Sequence, residues 1–348
     1  MKKWISLLLA AVLAVSLAGC GTSGQPAPDT AQSAPSSAES QPEQPSEAAA
    51  GGPLSRPLNI GALRGPTAMG MVRLMQNAET GDASLQYEFQ ITGAADELVP
   101  LLARGELDAA ALPANLAATL AEKADLQAAA INTLGVLYLV TTSDRIETLE
   151  DLRGSTLLST GKGTTPEYVL NYLLAQNGMT EADLTVEYKS EAAEVLAALE
   201  AGEASAAILP QPYVTTALAK LEGLRAALDL TAEWDRVSPD SALVTGVLVV
   251  RREFAQQYPD AVRQLLADYE QSVAWVQQNT VDAAALIESY GIVPSAAIAE
   301  QALPACNIVW ITGEEMKQKL SGYLAVLYAQ DPASVGGAEP ADSFYYGA

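Results

Sequence analysis

From Leu58 onward, apolar positions fall into two alternating patterns, short continuous runs and stripes at helical spacing. Leu58–Leu63 is a compact run that reads as a strand. Behind it Pro66 suits a first helical position, and Ala68, Met71, Val72 and Met75 form a helical stripe. Leu98, Leu101 and Leu102 predict a second helix that stops at Gly105, the residue type favoured just past a helix end. Leu107–Leu112 then reads as a buried strand ending in Leu112-Pro113, with another helix running toward Lys123. The same order returns further along. Thr156–Ser159 is a strand, Thr165 a helix N-cap and Pro166 the first helical residue. Val169, Leu170, Leu173 and Leu174 form the buried stripe, and Gly178 ends that helix. Val195, Ala198 and Leu199 lead to Gly202, Ala204–Leu209 leads to Pro210, and a helix closes near Lys220. The texts themselves echo: GELDAAALPAN begins at Gly105, and GEASAAILPQP begins 97 positions later at Gly202. Repeated strand–helix–strand units predict parallel sheets in two halves built alike.

Beyond the echo, NTLGVLYLVTTSD reads as one strong strand and SPDSALVTGVLVVRREF as a strand returning. Val262, Leu265, Leu266, Tyr269, Val273 and Val276 predict a long packing helix. A last helix starts at Thr312, with Glu315 completing a capping box.

The first 56 residues follow neither pattern. Met1-Lys2-Lys3 precedes an apolar segment, Trp4–Ala18, too short and wrongly flanked for an ordinary membrane span. It ends in Leu17-Ala18-Gly19-Cys20, which resembles the bacterial lipobox. That resemblance implies cleavage within residues 1–20 and lipidation of Cys20 by acyl chains such as palmitate, anchoring the chain on the outer face of the cytoplasmic membrane. Residues 21–56 are rich in Pro, Ser, Ala, Gln and Glu, a composition expected to stay disordered. A tether of ~35 residues reaches about 35 Å. Cys306 is the only other cysteine, so no internal disulfide is expected once Cys20 is lipidated; its apolar context, LPACNIVWI, points to a buried thiol.

At 348 residues the chain has room for two domains, and 49% hydrophobic residues can fill a sizeable core. A net charge of −23 argues against nucleic-acid partners. The chain has no histidine, which removes the commonest general base and metal ligand. Its carboxylates decorate helix faces, no metal-ligand spacing appears, and GKGTT lacks the full phosphate-loop pattern. Neither catalysis nor a cofactor is expected.

LEDLRGSTLLSTGKGTTPEYVLNYLLAQNGM and EVLAALEAGEASAAILPQPYVTTAL resemble the second lobe of type 2 periplasmic substrate-binding proteins. The similar branch serves ABC transporters of aliphatic sulfonates, taurine, nitrate and thiamine pyrimidines. The resemblance spans about Leu58 to Tyr328. It implies an α/β fold of two Rossmann-like lobes with a two-strand hinge, lobe one at 57–138 and 246–345 and lobe two at 139–245. It also implies a monomer that captures a small-molecule ligand and hands it to a permease. A sensing or surface-interaction module on the same fold is the alternative. Two departures stand out: PQPYV replaces the tryptophan often found there, and the histidine used by related pyrimidine-synthesising enzymes is missing.

In open α/β sheets ligands bind at the carboxyl ends of the strands. The candidate contacts are therefore the paired strand–loop–helix junctions, Arg64, Gly65, Pro66, Thr67 and Met69 in one half and Lys162, Gly163, Thr164 and Thr165 in the other. Helix N-termini there favour an anionic or strongly polar ligand, with Arg64 and Lys162 as possible charge partners. Pro113 and Asn115 border one Leu-Pro junction, and Gln211 and Tyr213 the other. Thr133 and Thr245 lie beside the crossing strands.

Overall fold

The computed structural model describes residues 52–348. The leader, Cys20 and the tether as far as Gly51 lie outside them. The first stretch runs β1 (Leu58–Leu63), α1 (Pro66–Met69), α2 (Val72–Thr80), β2 (Tyr87–Thr92), α3 (Ala95–Ala103), β3 (Ala109–Pro113), α4 (Ala114–Leu120) and β4 (Leu126–Leu134). The second runs β5 (Leu137–Thr141), β6 (Thr156–Thr160), α5 (Thr165–Gln176), β7 (Thr185–Lys189), α6 (Ala192–Glu200), β8 (Ala206–Pro210), α7 (Tyr213–Lys220), β9 (Arg225–Asp229) and α8 (Leu230–Val237). The chain then returns through β10 (Val244–Arg251), α9 (Arg252–Gln257), α10 (Pro259–Gln278), α11 (Thr280–Ser289), α12 (Ala296–Ala302), β11 (Ile308–Ile311) and α13 (Gly313–Gln330). None of the described helices is long and apolar enough to cross a membrane.

Two sheets result, in the orders β11-β4-β10-β3-β1-β2 and β7-β6-β8-β5-β9. In the first, β1 runs parallel to β2 and β3, while β10 is antiparallel to β3 and β4. In the second, β6 runs parallel to β7 and β8, while β5 is antiparallel to β8 and β9. The arrangements β2-β1-β3-β10-β4 and β7-β6-β8-β5-β9 are therefore the same. In each, the antiparallel strand is the one that has just crossed from the other half. This is the mixed α/β architecture of periplasmic binding proteins.

The echo in sequence is an echo in backbone geometry. Gly105 and Gly202 both adopt φ +72°. Glu106 N–H donates to Leu101 O at 2.9 Å and Glu203 N–H to Ala198 O at 3.0 Å, so α3 and α6 end in the same left-handed motif. The strand read through NTLGVLYLVTTSD is divided in two. At Gly135-Val136 the chain leaves β4 for β5, and a Cβ at Gly135 would sit 2.2 Å from Thr231 Oγ1 and 2.6 Å from Leu243 Cδ2. Only glycine fits where the two crossing segments approach this closely.

Three apolar cores hold the halves. One face of the first sheet buries Leu58, Ile60 and Ala62 with Val72, Leu265 and Tyr269. A smaller core joins Leu158, Leu209 and Val195 in the second half. The third draws on both, uniting Leu112, Leu173, Trp234 and Tyr323. Trp234 stacks between Tyr172 and Tyr323 with ring centroids 4.6 and 5.6 Å apart, and its Nε1 donates to Ser241 Oγ at 2.9 Å. Through Tyr323 the terminal helix α13 packs on the second half as well as the first.

Two caps differ from expectation. The N-cap of α5 is Thr164, with Thr165 and Pro166 already helical, and the Thr164 hydroxyl turns back to Gly161 O at 2.7 Å. At α13, Thr312 is the N-cap but its side chain caps nothing, and the Glu315 capping box does not form. Gly313, the next residue, takes φ +61°.

Candidate functional site

A cavity of about 410 Å³ opens where the two sheets meet at the carboxyl ends of their parallel strands. This is ordinary ligand-site size. Pro113, Asn115 and Leu116 line it from the end of β3 and the first turn of α4, and Thr245 from β10. Val136 and Leu137 line it from the crossing into β5, Pro210 from the end of β8, and Thr164, Thr165 and Pro166 from the start of α5. The Leu-Pro signature has a structural meaning here. Pro113 is the last residue of β3 and lies opposite Gly246 of β10; Pro210 is the last of β8 and lies opposite Leu137 of β5. In both halves the proline ends a parallel strand beside the antiparallel crossing strand, which brings both prolines into one recess. Other cavities belong to one half only. A recess of about 420 Å³ is lined by Met75, Glu79, Tyr87, Phe89 and Tyr290, and one of about 340 Å³ by Leu54, Ser84 and Tyr258.

Of the residues singled out from sequence, Pro113, Asn115, Thr164, Thr165 and Thr245 share this cavity. The others lie elsewhere. Met69 and Thr133 are fully buried. Thr67 is buried too, its hydroxyl donating to Leu63 O at 3.2 Å. Gly65 takes φ +111°, open to glycine alone, and caps the four-residue α1 begun by Pro66. Arg64 is exposed and lies along Gly93, just past β2, where an added Cβ would sit 3.3 Å from its Nη1. Lys162 is exposed, with its Nζ 5.8 Å from the centre of the Tyr188 ring on β7. Gln211 is buried; its Oε1 accepts from the Thr215 hydroxyl at 2.9 Å, and its N–H donates to Val136 O at 2.9 Å. Tyr213 is 41% exposed on α7.

The loop that opens α5 is tightly organised. Gly163 N–H donates to the Glu167 carboxylate, and Gly161 and Gly163 both take positive φ. Tyr168 OH lies 3.1 Å from Gly163 O and 3.0 Å from Asp331 Oδ2, so it ties the loop to the turn after α13. Burial, and then the Asp331 carboxylate, push the Tyr168 phenol up to about 12. Among the described residues no group of His, Cys, Asp and Glu could hold a metal ion.

Leu116, Val136, Leu137 and Pro210 line the cavity without having been picked from sequence. Pro210 was within reach, as the partner of Pro113 in the echo. Val136 and Leu137 lie inside an apolar run that reads as unbroken strand, and Leu116 lies in a helix whose cavity-facing side is set by tertiary packing.

Solved structures of similar fold agree on the architecture. An ABC transporter structure from Parabacteroides distasonis is 23% identical, with 83% of this chain and 98% of that one covered at a TM-score of 0.71. The periplasmic aliphatic sulphonate binding protein SsuA from Escherichia coli is 20% identical, over 80% and 90% of the two chains, at 0.66. The ligand binding component of an ABC-type import system from Staphylococcus aureus, solved with zinc bound, is 18% identical, over 84% and 96%, at 0.61. No curated protein sequence matches the chain. Residues 74–289 match the NMT1-like family, more than half of the sequence, and the chain belongs to that family.

Proposed function

We propose that this protein is the solute-binding component of an ABC importer. It captures a small organic molecule between its two halves and delivers it to a permease. Cys20 carries a lipid that holds it on the outer face of the bacterial cytoplasmic membrane, and it works as a monomer. The observation that carries the reading is the cavity lined by the equivalent strand ends of both halves, Pro113 with Thr245 and Pro210 with Leu137. A ligand seated there touches both sheets at once, so binding favours whichever arrangement of the halves makes both sets of contacts. The structures of similar fold, two ABC transport components and a sulphonate-binding protein, support the same reading.

The test is a thermal-shift panel of small organic solutes on the full chain, because a ligand that binds only the folded state raises apparent stability with concentration. At least one chemical class should raise Tm in a saturable way. The shift should vanish in Thr245→Trp, which fills the cavity from β10. Shifts that persist in that variant would place binding elsewhere and sink the proposal.

A further inference from the structure

The chemistry lining the cavity restricts what it can hold. Six of its lining residues are apolar: Pro113, Leu116, Val136, Leu137, Pro166 and Pro210. The other four, Asn115, Thr164, Thr165 and Thr245, are neutral hydrogen-bonding groups. Among the described residues no Lys, Arg, Asp or Glu lines it.

The two cations that sequence places at the junctions both lean away, for the same geometric reason. Arg64 follows β1 and lies along Gly93, beyond β2. Lys162 follows β6 and stacks on Tyr188 of β7. β2 and β7 are the outer strands of their sheets, whereas the cavity lies on the opposite side of β1 and β6, over β3, β10, β8 and β5. The helix start facing the cavity is also partly spent. The Glu167 carboxylate takes the Gly163 amide, and Pro166 has no N–H to offer. An anion beside Thr164–Pro166 would meet a fixed negative charge one residue away. It would give up its hydration without a counter-charge, which is costly in an apolar recess.

Resting on the solute-binding reading, we infer that the cleft selects uncharged molecules. Its ligand has an apolar body and one or two neutral hydrogen-bonding groups, such as an amide, carbonyl or hydroxyl. Asn115 and Thr245 on one side and Thr164 and Thr165 on the other meet those groups, while the prolines and Leu116, Val136 and Leu137 enclose the body.

Matched pairs test this. Butanesulfonamide against butanesulfonate, benzamide against benzoate and hexanamide against hexanoate differ mainly in charge. Calorimetric titration of the full chain at pH 7 should show the neutral member of at least one pair binding tenfold or more tighter than its anion. Asn115→Lys, which puts a cation at the cavity wall, should reverse that preference. An anion that binds the unaltered cleft as tightly as its neutral partner, with binding lost in Thr245→Trp, overturns the inference and leaves solute capture standing. Hits from the wider thermal panel count the same way, by their charge. Silence from every pair and from the whole panel removes both readings together.

Discussion

Gly246 lies one residue beyond the cavity-lining Thr245, and the space its missing side chain leaves is filled from three sides. A Cβ there would sit 2.6 Å from Thr67 Cγ2, 2.7 Å from Asn132 Oδ1 and 3.3 Å from Thr133 Cβ. None of these groups has room to retreat. Asn132 is 1% exposed, and its Nδ2 donates to Thr67 O at 3.0 Å and lies 2.9 Å from Tyr269 OH. Forcing a methyl into a packed site costs typically 1–3 kcal/mol, and two contacts inside 3 Å put Gly246→Ala at about 3 kcal/mol. A smaller unfolded-state entropy returns about 0.5–1 kcal/mol. The net loss should be about 2 kcal/mol. Thr67→Ala alone removes a buried methyl and the hydroxyl bond to Leu63 O, together about 1–2 kcal/mol.

In the double variant Thr67 no longer supplies the 2.6 Å clash, while Asn132 Oδ1 still does. The pair should therefore cost about 1 kcal/mol less than the sum of the singles, a coupling expected of residues in direct contact. Urea unfolding of all four proteins at equal m-value measures it. If Gly246→Ala falls within about 0.5 kcal/mol of the parent, or the two changes add, the crowding argument fails. Affinity per folded molecule for a cleft ligand should be unchanged in Thr67→Ala, because the Thr67 side chain faces Leu63 and Gly246 rather than the cavity.

Arg56→Ala should destabilise the body by about 2 kcal/mol in urea unfolding, because Asp108, 1% exposed, loses its two bonds of 2.6 and 2.7 Å to Arg56 and keeps the Asn59 amide, with Arg251 only at 4.0 Å. Cys20→Ser should leave the fold intact and move the protein from the membrane to the soluble fraction; retained acylation and membrane sedimentation would contradict the anchor. In that variant Cys306, whose thiol burial pushes up to about 12, should stay inert to a thiol reagent at pH 8 until denaturant is added. Tyr168→Phe should cost about 1–2 kcal/mol at neutral pH. The Tyr168 phenol is raised from near 10 to about 12, so its contribution is complete below pH 10 and lost as pH climbs to 12, and the gap between parent and variant should close over that window.

Much of the fold is legible in the chain because its landmarks are set by local chemistry. A glycine just past a helix is read correctly at both Gly105 and Gly202, since each must take φ +72° for its helix to end as it does. Leu-Pro at positions 112–113 and 209–210 marks a strand end because proline cannot continue the hydrogen-bond ladder. Strand β1 is bounded as its apolar run implies. What could not be read depends on partners far off in sequence. Nothing in NTLGVLYLVTTSD reveals that Thr231 and Leu243 press on Gly135 and divide the strand. Nothing near Thr165 reveals that Thr164 is the cap and that its hydroxyl turns back to Gly161 O.

The candidate site shows the same division more sharply. A strand-to-helix junction fixes where a residue's backbone lies, and so Thr164, Thr165, Asn115 and Thr245 reach the cavity with their strand ends. The direction of a long side chain at that junction is decided by what flanks the strand. Arg64 finds open space beside Gly93, where no Cβ intervenes, and Lys162 finds the face of Tyr188. Both flanks belong to the outer strand of a sheet, β2 or β7, and the two halves share one strand order, so both cations are drawn outward. On the inference of an uncharged cleft, the cation-glycine motif before each helix does not set the charge of the cavity. That charge is set by residues arriving from β3, β8 and the two crossings, and those contribute prolines, aliphatic side chains and neutral hydrogen-bonding groups. Because the two halves repeat one strand order, the outward lean is repeated with it, once at Arg64 and once at Lys162.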